Sequence, residues 1–362
     1  MRILQFGLSS SLGGIETYLL KFTTHLNKGE YRIDFLVIDD GKEPVFKKEL
    51  IELGSNFYSV ASRRNSWIQN IKDLNKLFME ENFDIVHCHM NSLSYITPII
   101  IALKHRKKVI VHSHNGSFST SFLSKAIHNV NFHRLPRKKV KLLAVSDVAG
   151  SWMFGEKSKY TVINNGIDLN KFKFSDIERK KVREELNIND DATVVLHVGA
   201  FRKQKNHSFL IDIFKEIALM KSGVKLLLVG EGELEGDIKK KVVDLKITDK
   251  VIFLGIRKNI KNFLSAADYF LFPSLFEGFP IALVEAQASG LTCIISDSIT
   301  DEVVEEQMTE AVSLEKSAKY WAQKLLNKKF FGERLEAKQL LEDMELSVES
   351  EINTLKAIYD EL

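Results

Sequence analysis

Two glutamates in the segment 273–285, PSLFEGFPIALVE, have a type and spacing that suit a ligand rich in hydroxyl groups. Proline fits the first turn of a helix, where its missing N–H costs nothing. Pro280 therefore places Glu277 in the loop before a helix and Glu285 inside that helix. With about 1.5 Å of rise per helical residue plus the loop, the two carboxylates stand about 10 Å apart. That separation is too large for an acid–base pair acting on one bond, and it suits two rings of one ligand.

A cationic loop is the second candidate. Residues 198–207, VGAFRKQKNH, follow a predicted strand and precede a predicted helix. Arg202, Lys203 and Lys205 place three positive charges within four positions. Arginine offers a planar fork and lysine a point charge, so this loop could neutralise a diphosphate. An ordinary solvated loop is the alternative.

Glycines follow two other predicted strands. Gly13 and Gly14, in SSSLGGIE at 9–16, would let the backbone approach a ligand and turn helix N–H groups toward an anion. The segment has neither the G-x-G-x-x-G pattern of dinucleotide-binding folds nor the G-K-[ST] of a P-loop, so a simple strand–helix turn is an equally good interpretation. Residues 230–233, GEGE, either reach the same ligand or only connect two elements.

Four histidines form two pairs at predicted strand ends, His87 with His89 and His112 with His114. Alternation places the members of each pair on one face of their strand. Zinc binding is disfavoured because no i,i+4 histidine pair, no H-E-x-x-H motif and no acidic ligand accompany them. The chain contains no D-x-D either, so we expect no metal site, with the protein's own cations and helix N-termini offsetting diphosphate charge.

The elements that must position these residues alternate regularly. Short β-rich apolar runs alternate with amphipathic stretches, which is typical of parallel strands joined by helical crossovers. The pattern restarts after the turn-forming Asn164-Asn165-Gly166-Ile167-Asp168, and strands are expected to stop after Ser296. We predict an α/β fold with two doubly wound parallel-sheet domains, 1–165 and 166–345, facing a cleft. A C-terminal helix over 346–362 could pack back on the first domain.

Composition agrees with a folded, two-domain protein. A chain of 362 residues exceeds what one core usually organises, and 44% hydrophobic with 27% charged residues exclude disorder and coiled coil. Cys88 and Cys293 belong to no paired motif, which favours a reducing compartment. No apolar run has the length of a signal peptide or a membrane span. We expect a cytoplasmic protein, at most peripheral on the inner face of the cell membrane.

Charge is distributed unevenly. The acid-free segment, residues 85–146, holds ten Lys or Arg, seven of the ten histidines and no Asp or Glu. Its basic runs 104–108 and 133–141 flank four apolar side chains, Phe118, Phe122, Leu123 and Phe132. An anionic membrane surface or a lipid-diphosphate acceptor is the partner that this pattern favours, with a soluble basic patch as the alternative. Nucleic acid is not expected as a partner, because no recognised binding motif is present.

In combination, these motifs resemble glycosyltransferase family 4, a large retaining family of GT-B fold, especially its members that build bacterial capsule and exopolysaccharide. The resemblance rests on the two glutamates in an EGFP-type sequence, the Gly-Gly loop, the Q-K-N loop, VINNGID at 162–168 and AAD at 266–268. It covers nearly the whole chain.

The resemblance implies a donor site in the second domain. Glu277 would hold hydroxyls of the donor sugar, helped by the main-chain N–H groups of Gly278 and Phe279. Glu285 would hold the ribose of the nucleotide.

The resemblance also implies how a diphosphate is held. Lys205 and an arginine would bind it, with Gly14, beside Gly13, closing on it from the first domain. The family's arginine directly follows the strand-end glycine, where this chain has Ala200. Arg202, two positions later, would replace it.

We accordingly predict a retaining, metal-independent glycosyltransferase that moves a sugar from a UDP-sugar to a saccharide or lipid-linked saccharide in surface polysaccharide synthesis. Beyond this nucleotide-sugar co-substrate no cofactor is expected. His114, matched to a family histidine near the reacting sugar, and Glu277 would be its catalytic residues. One alternative is a nucleotide-sugar epimerase, for which Glu277 is a poor acid–base group. Another is a degenerate glycosyltransferase acting as a binding partner, which Ala200 keeps open.

Overall fold

The structure, a computed structural model, describes residues 1–11, 13–26, 29–115, 122–277, 279–330, 332 and 334–362. Of the residues singled out above, Gly278 and Phe118 lie outside this set, as do the side chains of Phe122 and Leu123. The chain forms two compact units. Unit 1 comprises Met1–Asn165 and Glu351–Leu362, and unit 2 comprises Gly166–Ser350.

Unit 1 is built on a parallel seven-stranded sheet in the order β3-β2-β1-β4-β5-β6-β7. Its strands are β1 (Arg2–Phe6), β2 (Arg32–Asp39), β3 (Phe57–Ala61), β4 (Ile85–Met90), β5 (Lys108–Ser113), β6 (Lys141–Ala144) and β7 (Thr161–Val162). Its crossover helices are α1 (Gly14–Leu26), α2 (Lys47–Glu52), α3 (Trp67–Glu80), α4 (Thr97–Lys104), α5 (Phe122–Arg134) and α6 (Asp147–Phe154).

The central strand β4 is buried along its whole length. Val86, Cys88 and Met90 pack into the apolar core on one side, and alternation turns His87 and His89 to the other. His89 is in register with His112 on β5, and His87 is in register with Gln5 on β1. Partners in register share a face, so three neighbouring strands bring their polar side chains together.

Unit 2 is built on a parallel six-stranded sheet in the order β10-β9-β8-β11-β12-β13. Its strands are β8 (Thr193–Val198), β9 (Val224–Val229), β10 (Val251–Gly255), β11 (Tyr269–Phe272), β12 (Thr292–Ser296) and β13 (Thr309–Val312). Its helices are α7 (Leu169–Phe172), α8 (Asp176–Glu185), α9 (His207–Met220), α10 (Glu235–Asp244), α11 (Ile260–Ala266), α12 (Ile281–Ala288), α13 (Ala318–Asn327) and α14 (Ala337–Asp343). A last helix, α15 (Val348–Glu361), leads from unit 2 back to unit 1.

The predicted class, α/β with two doubly wound parallel sheets and a C-terminal helix, is confirmed. The expectation that strands stop after Ser296 is wrong, because β13 pairs with β12 at the sheet edge. That edge strand has four residues, and Glu310 and Ala311 at its centre are not buried, so it lacks the apolar run that marks the inner strands. In the part of the chain that the structure describes, no helix combines the length and apolarity needed to cross a bilayer.

Each sheet reverses its winding direction once, at the β1/β4 neighbours in unit 1 and the β8/β11 neighbours in unit 2. At such a switch point the loops after the two strands diverge and leave a crevice at the carboxyl edge. The Gly-Gly loop follows β1, the cationic loop follows β8, and the Glu277 loop follows β11. These three candidate loops therefore lie at a switch point of their own sheet, whereas the GEGE loop follows β9, one strand away.

Candidate active site

In unit 2 the cationic loop and the Glu277 loop lie side by side. The Lys205 ammonium is 2.8 Å from the Glu277 carboxylate, and both side chains are largely buried, with exposures of 19% and 6%. The same ammonium lies 4.7 Å from the ring centroid of Phe272 at the end of β11. A cation and a carboxylate assigned to different parts of one ligand thus contact each other.

Further hydrogen bonds hold these two loops together. The Leu275 N–H donates to the Gln204 carbonyl at 2.8 Å, and the Gln204 amide donates to Phe276 O and Glu277 Oε2 at 3.0 and 3.3 Å. The Asn206 amide donates to the Pro273 carbonyl at 3.1 Å. The sequence assigned Gln204 and Asn206 no role, although both belong to the Q-K-N motif; the structure makes them ties between the loops.

The GEGE loop supports the cationic loop from behind. A Cβ on Gly230 would lie 2.2 Å from the Gly199 carbonyl oxygen, and one on Gly232 would lie 2.7 Å from the Phe201 backbone. The Phe201 N–H donates to the Glu231 carbonyl at 3.1 Å. Glycine is therefore required here for backbone packing, and the loop is more than a connection.

Arg202 is placed differently from Lys205. Its side chain is exposed, and it forms no ion pair with any described residue. Ala200 lies between Gly199 and the buried Phe201 and carries no charge. Lys205 is thus the cation that contacts site residues, and Arg202 is a free cation on the same loop.

Glu285 sits in α12, which begins after Pro280 as the sequence indicates. Burial raises the pKa of the Glu285 carboxyl to about 7, although the nearby Lys171 charge lowers it. Phe279 is partly buried against the core of unit 2, and Gly278 lies outside the described residues. A carboxyl group with this pKa exchanges its proton near neutral pH.

In unit 1 the Gly-Gly loop is closed by its own glutamate. Glu16 is buried and accepts hydrogen bonds from the Ser9 N–H at 3.1 Å and the Ser9 hydroxyl at 2.6 Å. A Cβ on Gly13 would lie 2.8 Å from the Glu16 carboxylate, whereas one on Gly14 would meet no atom within 4 Å. Gly13 thus allows the loop to close, and Gly14 faces open space at the start of α1.

Close by, the predicted histidine pairs form one cluster. His87, His89 and His112 each bring one ring nitrogen within 4.8 Å of the others, and His114 Nε2 is 2.8 Å from His89 Nδ1. The cluster contains no carboxylate among the described residues. Burial lowers the pKa of His87, His89 and His112 well below the usual value, and burial together with the Lys21 charge lowers that of His114 to about 3. All four imidazoles are neutral at physiological pH.

A hydrogen-bond chain fixes which nitrogen of His114 carries its proton. The Gln5 carbonyl oxygen, 2.7 Å from His89 Nε2, can only accept, so His89 Nε2 carries the proton and Nδ1 does not. His114 Nε2 must then donate to His89 Nδ1, which leaves His114 Nδ1 as an acceptor. The Gln5 amide also donates to the Tyr359 hydroxyl of α15 at 3.4 Å, and that hydroxyl is 2.7 Å from His87 Nδ1.

Zinc would compete with this chain for the same nitrogens. Both nitrogens of His89 are engaged by Gln5 and His114. His87 Nε2 and both nitrogens of His112 have no hydrogen-bond partner among the described residues. Neutral imidazole is a good zinc ligand, but a tetrahedral site would require His89 to give up one existing bond.

Asp268, from the AAD motif, has a structural position. Its carboxylate accepts from Arg179 at 2.6 Å, Arg183 at 2.9 Å and the Val194 N–H at 2.7 Å. It therefore fastens α8 to strand β8 at the opposite end from the cationic loop.

Sequence comparison finds matching family models for both units. The model of Glycosyltransferase Family 4 matches residues 12–171, and that of Glycosyl transferases group 1 matches residues 178–328. The chain is 29% identical over 375 residues to the putative glycosyltransferase EpsF of Bacillus subtilis, covering 99% of this chain and 96% of that protein. It is 27% identical to the UDP-Gal:alpha-D-GlcNAc-diphosphoundecaprenol alpha-1,3-galactosyltransferase of Escherichia coli, covering 82% of this chain and 79% of that protein.

A comparison of folds agrees. The crystal structure of Anabaena HepE in complex with UDP matches with a TM-score of 0.81 at 19% identity, over the full length of both chains. Neither these relatives nor this structure supports the epimerase alternative. Because one unit matches the model of Glycosyltransferase Family 4, the other matches that of Glycosyl transferases group 1, and the sequence aligns along its length with a putative glycosyltransferase, the chain belongs to these glycosyltransferase families and is a glycosyltransferase of GT-B fold.

Proposed function

We propose that this glycosyltransferase takes a sugar from a UDP-sugar and transfers it, with retention of anomeric configuration and without a metal ion, to a saccharide carried on a lipid diphosphate. The observation that carries the proposal is the Lys205–Glu277 pair at 2.8 Å, at the switch point of unit 2. In this proposal Lys205 is the cation for the diphosphate and Glu277, beside it, is the carboxylate for sugar hydroxyls. Glu285, in the following helix α12, accepts hydrogen bonds from the ribose hydroxyls in this proposal.

His114, in unit 1, offers an unprotonated nitrogen as an acceptor. Because its Nδ1 is unprotonated and its pKa is about 3, it can accept a hydrogen bond from a sugar hydroxyl but cannot act as an acid near neutral pH. This supports a role in orienting the reacting sugar. The proton of the attacking hydroxyl is then left to another acceptor, and the leaving diphosphate is the base that the family resemblance implies.

The charges available support metal independence. Lys205, Arg202 and helix N-termini can offset diphosphate charge without a divalent ion. Activity that survives EDTA supports this part of the proposal, and a strict need for Mg²⁺ or Mn²⁺ contradicts it. The anomeric configuration of the product, determined by NMR, tests retention separately.

The acceptor proposal rests on the E. coli relative, whose name specifies a diphosphoundecaprenol acceptor, and on the acid-free segment. Lys138 and Lys139 in this segment are exposed, whereas Lys141 pairs with Glu361 at 2.9 Å and Arg137 lies over the Phe132 ring. These two exposed lysines are thus among the cations of the segment that could meet an anionic membrane surface, on which the enzyme would be peripheral.

Calorimetric titration with UDP tests the donor site directly. Lys205→Ala removes the cation that contacts the site, and loss of a charge-assisted contact of about 1.5–3 kcal/mol weakens binding about tenfold or more. Lys203→Ala, an exposed position on the same loop, is the matched control and leaves the affinity unchanged. Equal affinity for UDP in the two variants contradicts the proposal. Release of UDP from a panel of UDP-sugars then identifies the sugar.

A further inference from the structure

Unit 1 carries an open groove that none of the site residues discussed so far lines. Helices α3, α4 and α5 enclose about 820 Å³, within the range of about 300–1,000 Å³ typical of small-molecule sites. Its walls are mostly apolar and include Trp67, Ile71, Ile100, Ile127 and Val130. We call it the α3–α5 groove.

The groove exposes large apolar side chains that the unit 1 core leaves uncovered. Trp67 is 51% exposed, Ile100 is 41% exposed and Val130 is 56% exposed. They come from three different helices and line one depression. A contiguous apolar surface of this kind marks a binding site rather than scattered surface residues.

The charged residues of the groove are all cationic. Among the described residues, Arg63 and Arg134 line it and no Asp or Glu does. The Arg63 guanidinium donates to the Ser94 carbonyl and lies 4.8 Å from the centroid of the Tyr95 ring, so its position is fixed. Arg134 is exposed and forms no ion pair with any described residue. An occupant must therefore combine an apolar body with negative charge.

The groove is bordered by a loop at the sheet edge that carries His114. The loop between β4 and α4 forms part of its wall, through Ser94 and Tyr95. Leu93 in that loop is tied to α5, accepting from the Asn131 amide at 2.7 Å and donating to His128 Nδ1 at 3.1 Å. The His114 N–H donates to the Met90 carbonyl, at the start of the same loop, at 3.0 Å.

We propose that the α3–α5 groove binds the isoprenoid tail of the lipid-diphosphate acceptor, in the isoprene units next to the diphosphate, with Arg63 and Arg134 facing its anionic end. This rests on the proposed function and assigns the lipid part of its acceptor to a particular surface. The apolar walls bind the hydrocarbon, the arginines select a phosphorylated lipid over an alcohol, and the position of the groove brings the attached saccharide to the edge that carries His114.

Geranylgeranyl diphosphate, a short isoprenoid diphosphate, is the probe, and Trp67 is the reporter because it lines the groove. Titration is expected to shift tryptophan emission to the blue and to saturate, and Trp67→Phe is expected to remove the shift. Inorganic diphosphate and geranylgeraniol are expected to give no saturable shift at the same concentrations. A shift with inorganic diphosphate alone overturns the proposal, since the site would then recognise only the anion.

Val130→Asp introduces a negative charge at an exposed position of the groove. It is expected to weaken binding of geranylgeranyl diphosphate at least tenfold. Met79→Asp is the matched control, since Met79 is 75% exposed on α3 and does not line the groove. Equal affinity of both variants and the parent overturns the proposal. So does a dimer of the parent that Val130→Asp dissociates in sedimentation, because a second copy would then be the occupant.

Calorimetric titration of the parent chain with UDP separates a failure of the groove assignment from a failure of the proposed function. Binding of UDP without binding of the probe removes the groove assignment and leaves the donor site standing. Binding of the probe without UDP removes the proposed function and leaves an isoprenoid-binding surface. Thermal unfolding of each variant confirms that a lost signal is not a lost fold.

Discussion

Burial of the Glu285 carboxyl group raises its pKa to about 7. Because the folded protein holds this proton more tightly than the unfolded chain, whose glutamates titrate at about 4.3, the free energy of unfolding falls as pH rises through that window. Glu285→Gln removes the ionisable group, and with it this fall in the free energy of unfolding. We expect the variant to melt at a higher temperature than the parent at pH 8 and at nearly the same temperature at pH 4.

The same substitution is expected to weaken UDP binding at pH 8, because the charged acceptor for the ribose hydroxyls is gone. Stability and binding thus change in opposite directions, as is common when a site keeps an unfavourable charge for its ligand. A variant that melts lower at pH 8, or binds UDP as tightly as the parent, contradicts this assignment of Glu285.

Glu277 has a different relation to UDP. Its carboxylate pairs with Lys205, the cation assigned to the diphosphate. Glu277→Gln frees that cation, so UDP affinity measured by calorimetry is expected not to fall, while turnover with the full UDP-sugar falls. A loss of UDP affinity as large as that caused by Lys205→Ala would show that the sugar and phosphate roles are misassigned.

His114 is expected to behave as a fixed acceptor. Nitrogen-15 NMR of the imidazole is expected to show a proton on Nε2, none on Nδ1, and no titration between pH 5 and 8, since the pKa is about 3. His114→Ala is expected to slow transfer by a factor on the order of tens or more, with UDP affinity retained. Titration near pH 6.5 contradicts the hydrogen-bond chain, and near-normal transfer contradicts the role.

At the scale of elements, Asp268 joins α8 to the sheet of unit 2. Arg183 beside it has only 2% of its side chain exposed, so removing the carboxylate charge leaves a buried guanidinium without its counterion. Asp268→Asn is expected to lower the free energy of unfolding by about 3–5 kcal/mol. Urea denaturation measures this.

Asp176→Asn is the control for that substitution. It breaks an ion pair between Asp176 and Lys180 on the same helix, but both side chains are more than 60% exposed. Such a pair contributes about 0–1 kcal/mol, so little change is expected. A similar loss in both variants would mean that α8, rather than its anchor, limits stability.

The sequence predicts the alternation of strands and helices, because inner strands such as β4 and β11 carry apolar runs that are buried. It misses β13, whose four residues are half polar, and α8, whose charged surface hides its single buried face. Loops at strand ends are predictable as well, since a parallel sheet places them at one edge. The contacts between these loops are not predictable. Lys205 contacts Glu277 only because β8 lies beside β11, and no local sequence pattern encodes that strand order.

The same limit applies to the histidine cluster. Alternation predicts that His87 and His89 share a face, and the structure agrees. Gln5 and Tyr359 were not predictable as their partners, because Tyr359 lies 272 positions from His87 in the chain. The sequence signal that could have suggested such a partner is Tyr359 itself, a polar aromatic residue near the end of an amphipathic helix.

At the scale of the whole molecule, attachment to anionic membranes is expected to depend on few charges. Each lysine near an anionic surface contributes about 1 kcal/mol, so binding is reversible and weakens at high salt. Sedimentation with phosphatidylserine-containing vesicles is expected to pellet the parent chain and to recover more of Lys138→Ser/Lys139→Ser in the supernatant. Lys319→Ser, in unit 2, is the control. Equal sedimentation with neutral vesicles contradicts an electrostatic attachment.

The helix α15 also sets an order of events during synthesis. Residues 351–362 belong to unit 1, where Glu351 pairs with Lys21 at 2.6 Å and Tyr359 reaches His87, yet they follow all of unit 2 along the chain. Domains generally fold as they leave the ribosome, the N-terminal one first. Here residues 351–362 are synthesised after unit 2, so the Tyr359–His87 contact can form only after unit 2 has been made. Moving residues 351–362 in front of Met1 by circular permutation would let unit 1 mature first.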